Sequence, residues 1–255
     1  MRAVFAVFKR ELSLYFRSPV AYAVAFALLL FFGLLFSANI SQAVAINSAQ
    51  QGNVTADDLI GFVPSTLTFL LFLVAPLLTM RLIAEETREG TLEVLMTLPM
   101  NESHFIIGKF LAVWAYYTVL LLLTLIYPVI LAQIGVPDGG RLFSAYLGAW
   151  LYGGAVLAVS MIWSAVTEDQ IVAAFLSAAT VLVLFLSEIA AIWASSQGLT
   201  AGAADFIREL GLTAHFDATL LQGVIRAEDV VYFLLMMMAA LFITTRIVET
   251  RRWRA

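Results

Sequence analysis

Apolar positions fall in six long runs: residues 20–38, 62–82, 105–130, 142–166, 171–193 and 230–248. A bilayer-crossing helix needs about 20 mostly apolar residues, and each run meets that length. Inside lipid the backbone must satisfy its own polar groups, so each run is predicted helical. A membrane β-barrel would show alternating segments of about 10 residues, and the sequence has none. The first run has basic residues before it and Ser37 and Ala38 after it, but its length and the nineteen residues ahead of it favour a retained span over a cleaved signal peptide. The expected fold class is an all-α polytopic membrane protein: one transmembrane domain, residues 1–255, with six transmembrane helices.

The polar stretches between the runs carry their own patterns. In residues 3–18, Val4, Phe5, Phe8, Leu12, Tyr15 and Phe16 recur at helical spacing, interrupted by Lys9, Arg10, Glu11 and Arg17. This predicts an interfacial helix whose basic groups face anionic headgroups, redirected at Pro19. Thr55, three residues before Asp58, predicts a capping box opening the second span. Residues 81–103 hold seven charged residues. Gly90 can end one helical stretch, Thr91 can cap the next, and Glu93 then sits in a first turn where the helix dipole favours a carboxylate. Leu92, Leu95, Met96 and Leu98 form an apolar face, and Pro99 stops it. A helix over 91–98 is too short to persist alone in water and needs a lipid or protein surface. Residues 194–229 are too long for a simple connection. There, Leu199, Ala203, Phe206, Ile207 and Leu210 share one face, Phe216, Leu220, Val224 and Ile225 another, with Gly211 between. Two short amphipathic helices dipping into the outer leaflet are predicted.

Composition and charge narrow the function. Apolar residues are 62% of the 255 and charged residues 13%, too few charges for a soluble surface. Placing the N-terminus in the cytoplasm puts Arg2, Lys9, Arg10, Arg17, Arg81, Arg88, Lys109, Arg246, Arg251, Arg252 and Arg254 inside and only Arg141, Arg208 and Arg226 outside. That bias predicts cytoplasmic termini. There is no cysteine for disulfide, thiolate or nucleophile chemistry. No G-x-x-x-x-G-K-[ST] phosphate loop is present; before Gly108-Lys109, Ser103 stands where the first glycine should be. His104 and His215 are expected on opposite membrane faces, which disfavours a metal site or a histidine-centred triad. The chain is therefore not expected to be an enzyme.

Within the spans, Glu188 is the one carboxylate well inside an apolar run and a candidate pathway residue. It would lie about 25 Å along a helix started at Ile171, close to the outer boundary. Pro76 and Pro128 should kink spans two and three. Ala149, Gly153 and Gly154 suit close helix packing.

Three stretches together resemble the membrane subunit of type-2 ABC transporters, in particular the permease group associated with gliding motility. They are Phe8-Lys9-Arg10-Glu11-Leu12 continuing to Tyr15-Phe16-Arg17-Ser18-Pro19; Glu85-Glu86-Thr87-Arg88-Glu89-Gly90-Thr91-Leu92-Glu93-Val94-Leu95 with Leu98-Pro99 and Gly108-Lys109-Phe110; and Gly223-Val224-Ile225 with Asp229-Val230-Val231-Tyr232-Phe233. The resemblance implies six spans, an N-terminal interfacial helix, a cytoplasmic coupling helix and re-entrant outer helices between spans five and six. It implies the permease subunit of an exporter, paired with a second permease copy or paralogue and two separate ABC ATPase subunits that bind ATP and Mg. Carried onto this chain, residues 85–98 would meet the ATPase, with Glu85, Glu86, Arg88, Glu89, Gly90, Thr91, Leu92, Glu93 and Leu95 at the contact. Lys9, Arg10, Glu11 and Arg17 would brace it. Glu188, Phe206 and Phe216 would line the outer gate. The implied location is the bacterial inner membrane, with lipid as the surrounding partner and no nucleic acid. Rival readings are a secondary transporter or channel, which would favour midplane charges or matched halves, and a membrane scaffold that docks a cytoplasmic partner. The spans lack midplane charges and no repeat relates the halves. The cargo stays open.

Overall fold

In the computed structural model, which describes residues 2–49, 52–91, 101–197 and 200–252, two helices meet at an elbow. α1 (Arg2–Arg17) ends before Ser18, whose backbone is extended, and Pro19 occupies the first turn of α2 (Pro19–Ser48). Proline suits that place because the first-turn amides of a helix have no intrahelical acceptor. A short α3 (Ala56–Ile60), opened by the Thr55 and Asp58 capping box, leads into α4 (Phe62–Thr79). After a tight turn comes α5 (Ala84–Arg88). The chain continues through α6 (Glu102–Leu123), α7 (Ile126–Ile134), α8 (Gly139–Val166), α9 (Gln170–Phe185) and α10 (Ser187–Ser196). It closes with α11 (Ala201–Glu209), α12 (Leu212–Asp217), a 3₁₀ turn at Leu220–Gln222 and α13 (Ala227–Arg252). Among the described residues there is no strand. Among the described residues five helical units are long and apolar enough to cross a membrane, and counting the bent pair α9 and α10 as one span gives six. The protein is an all-α polytopic membrane protein.

α8 is the hub. It packs against α13, α4, α9 and α6. Its most apolar window is 72% buried, against 22% for α2 and α13, so α8 lies at the centre while those two bury one face each, through Phe32 and Phe36 and through Phe233 and Met237. The small residues of α8 serve this packing within the chain. Tyr117 Oη donates to the Ala149 carbonyl at 2.8 Å, and Gly153 leaves room for the Tyr117 ring.

Span three breaks at Thr124 and Leu125, one turn ahead of Pro128. The proline ring has no N–H for the Thr124 carbonyl and crowds it, so the break falls where a proline acts. Pro76 lies inside the continuous α4. The helix expected over 171–193 is not one rod: α9 and α10 meet at Leu186 with a 50° bend. No proline lies there. Gly211, ahead of α12, approaches Ser187 so closely that a Cβ on the glycine would clash with the serine hydroxyl. The bend lets α10 follow α11 and α12 instead of crossing straight on.

α1 also departs from expectation. Val7, Glu11 and Tyr15 form its buried face, directed at α6, whereas Phe5 and Phe16 are exposed. The face nominated from hydrophobicity is therefore rotated, because Glu11 turns inward to meet a lysine. Gly108 of α6 permits the contact: a Cβ there would lie 2.8 Å from Val7 Cβ.

Candidate functional site

The end of the bundle that holds α1 and the last turns of α13 carries a closed ionic cluster built by three helices. α1 supplies Arg10 and Glu11, α5 supplies Glu86, and α6 supplies Lys109. Arg10 Nη2 lies 2.8 Å from Glu11 Oε1 and 2.8 Å from Glu86 Oε1. Lys109 Nζ lies 3.1 Å from the same Glu11 oxygen and 3.0 Å from the same Glu86 oxygen. Two cations and two carboxylates thus alternate, and the cluster is neutral. Lys109 is 2% exposed, so these two carboxylates stand around its ammonium where water otherwise would. Its ammonium also sits 5.0 Å from the Phe105 ring centroid. Burial works against the Arg10 charge, but Glu11 and Glu86 outweigh it and hold its pKa above the ordinary guanidinium value. The second Glu86 oxygen, Oε2, is buried and has no hydrogen-bond partner among the described residues.

A second layer binds the elbow. Tyr15 Oη donates to the Leu78 carbonyl at the end of α4 at 2.6 Å, and its ring stacks on Tyr116 of α6 at 5.1 Å. Tyr116 Oη donates to the Ala21 carbonyl of α2 at 2.6 Å. Arg81 donates to Ser18 Oγ at 3.1 Å and lies over the Tyr15 ring at 5.4 Å. A cleft of about 690 Å³ opens beside these groups. Arg10, Glu11 and Arg17 line it from α1, and Glu85, Glu86, Glu89 and Thr91 from the segment after span two.

Two separately nominated sets of residues therefore meet at one place. Arg10, Glu11 and Glu86 are in contact. Arg17, Glu85, Glu89 and Thr91 line the cleft, whereas Lys9, Arg88 and Gly90 lie on the surface. Gly90 has a φ of +69°, the left-handed conformation that closes α5. Leu92, Glu93, Leu95 and the rest of the helix expected over 91–98 fall outside the described residues, Thr91 excepted. Lys109 is the member of the cluster that sequence reasoning did not assign. Its signal was a single cation following Gly108, at a glycine that admits a neighbouring helix.

At the opposite end the nominated gate residues separate. Phe216 is 1% exposed and packs edge-on against Tyr152 of α8 at 5.8 Å. Phe206, on α11, is 64% exposed. Glu188 is half-buried in the first turn of α10. Val224 and Ile225 lie in the extended segment before α13, not on the second short helix. Other groups tie α11 and α12 to the start of α13. His215 Nδ1 lies 2.9 Å from Asp229 Oδ1 on α13, and its ring stacks on Tyr232 at 3.9 Å. Tyr232 Oη donates to the Leu210 carbonyl at 2.9 Å. Arg141 at the start of α8 pairs with Asp57 at 3.2 Å and donates to the Leu221 carbonyl at 3.2 Å. Among the described residues, no group of three or more histidine, aspartate or glutamate side chains could hold a metal ion.

Comparison with curated proteins gives no match. A family model described as "ABC-2 family transporter protein" matches residues 35–208, more than half of the chain.

Proposed function

The chain belongs to the ABC-2 transporter family as a membrane permease component, which implies an ABC ATPase partner, and from that premise we propose that residues 85–98 take up the ATPase stroke and pass it to α1 and α6. The observation that carries this reading is the four-membered ionic cluster. Glu86 is bound through Arg10 and Lys109 to both neighbouring helices. A displacement of α5 must drag those helices or break a buried ion pair, which is strongly destabilising.

In this reading the end that holds α1 faces the cytoplasm of a bacterial inner membrane, in line with its excess of Lys and Arg. Two ATPase copies, holding ATP and Mg, drive two permease copies or paralogues around a shared export pathway. The hairpin α11 and α12, with Glu188, Phe206 and Phe216, closes the outer end. The apolar walls suit an amphipathic or lipid-linked cargo. The likeness of residues 85–95 supports placing the chain in the gliding-motility-associated branch.

The test is a Glu86→Ala, Arg88→Ala double variant co-expressed with the partner ATPase. Loss of a contact of about 1.4 kcal/mol weakens association about tenfold. The expected outcome is a drop of about that size in copurified ATPase or in permease-stimulated ATP hydrolysis. If both are unchanged, the coupling role of this segment is wrong.

A further inference from the structure

The joint between span two and α5 is held by a residue far away in the sequence. In an unbroken helix the Ile83 amide would donate to the Thr79 carbonyl and the Ala84 amide to that of Met80. Both amides donate instead to Ser164 Oγ, at 3.0 and 3.1 Å. The hydroxyl in turn donates to the Met80 carbonyl at 3.0 Å. A serine hydroxyl has one donor and two acceptor positions, and here all three are used. Ser164 thus stands in the rung between Met80 and Ala84, and a side chain inserted in the ladder is a recognised cause of a helix break. The Thr79 carbonyl accepts from Leu82 at 3.0 Å, tightening the turn. Thr79, Ile83, Ala84 and Ser164 are each 0% exposed, so water does not compete.

Ser164 belongs to the last turn of α8, the helix on which α13, α4 and α9 pack. We propose that Ser164 is the positioning residue of this joint: its hydroxyl sets the angle at which α5 leaves span two and makes α5 move with α8 rather than with α4. The meaning of that motion rests on the proposed coupling role of α5; the wedge itself does not. α5 would then be tied on one side to α8 through Ser164 and on the other to α1 and α6 through Glu86.

Because the chain has no cysteine, paired spin labels can be placed at Lys9→Cys and Arg88→Cys, both exposed, in the full chain in lipid nanodiscs. With Ser164 intact, a single narrow distance is expected. Ser164→Ala should shift or broaden it and speed hydrogen exchange at the Ile83 and Ala84 amides by about tenfold or more, the loss of a buried acceptor. Ser164→Thr, which keeps a hydroxyl, should retain the original distance and protection. Unchanged distance and exchange in Ser164→Ala overturns the wedge, as does a threonine variant that behaves like alanine. ATPase copurification with Ser164→Ala and Ser164→Thr in the chain that keeps Lys9 and Arg88 separates the two ideas. If α5 moves while ATPase binding and stimulation persist, the wedge stands and the coupling role fails.

Discussion

Lys109 divides one ammonium between carboxylates from two other helices, and the cost of losing it follows from where those partners sit. Glu11 is 7% exposed and Glu86 12%, so neither can recover its charge balance from water. Removing one member of a buried ion pair costs about 3–5 kcal/mol. Lys109→Met is therefore expected to destabilise the chain by about 3 kcal/mol, the remaining Arg10 contacts offsetting part of the loss. Adding Glu11→Gln should return much of it. Thermal unfolding of the single and double variants in the same detergent checks both. The lysine was hard to read in the sequence because its meaning is relational. Gly108-Lys109 looks like a topology signal until α1 is docked, and Glu11 looks like a flaw in an apolar face until it finds Lys109.

Among the elements, the hairpin of α11 and α12 has a titratable feature. Burial pushes the Asp217 carboxyl up to about 6, with the charge of Glu188 adding to the effect. A carboxyl raised in the folded state binds its proton more tightly there than in the unfolded chain. Its contribution to stability is fully present below about pH 4 and is lost as pH rises through about 6. Wild-type unfolding temperature should accordingly fall between about pH 4 and about pH 6 relative to Asp217→Asn, which lacks the titration, and level off above that. A parallel pH profile for the two proteins would contradict this. The existence of two short helices separated by Gly211 was legible from amphipathic spacing. The bend at Leu186 was not, because no proline or glycine marks it locally and the close neighbour of Ser187 there, Gly211, comes from another part of the chain. The joint at Thr79 and Ala84 was hidden for the same reason, with Ser164 supplying the outside contact. Local pattern locates apolar runs and caps; breaks imposed by a neighbour have no local signature.

Across the whole molecule, Lys9, Arg10, Arg17, Arg81, Arg88 and Lys109 gather at the end holding α1, and α11 and α12 lie at the other. The orientation is open to a direct measurement in a chain without native cysteine. A cysteine at Phe206, 64% exposed, is expected to react with an impermeant maleimide in intact cells. A cysteine at Lys9 is expected to react only after permeabilisation. The reverse pattern would invert the topology and move the ionic cluster to the wrong side for an ATPase. The bent fifth crossing carries one more consequence. α9 has 16 residues, which reach about 24 Å, short of the roughly 30 Å of hydrocarbon in an average bilayer. The remaining depth is met only obliquely by α10, so lipid against this flank must thin or leave its carbonyls partly wet, and shorter acyl chains will fit it with less mismatch.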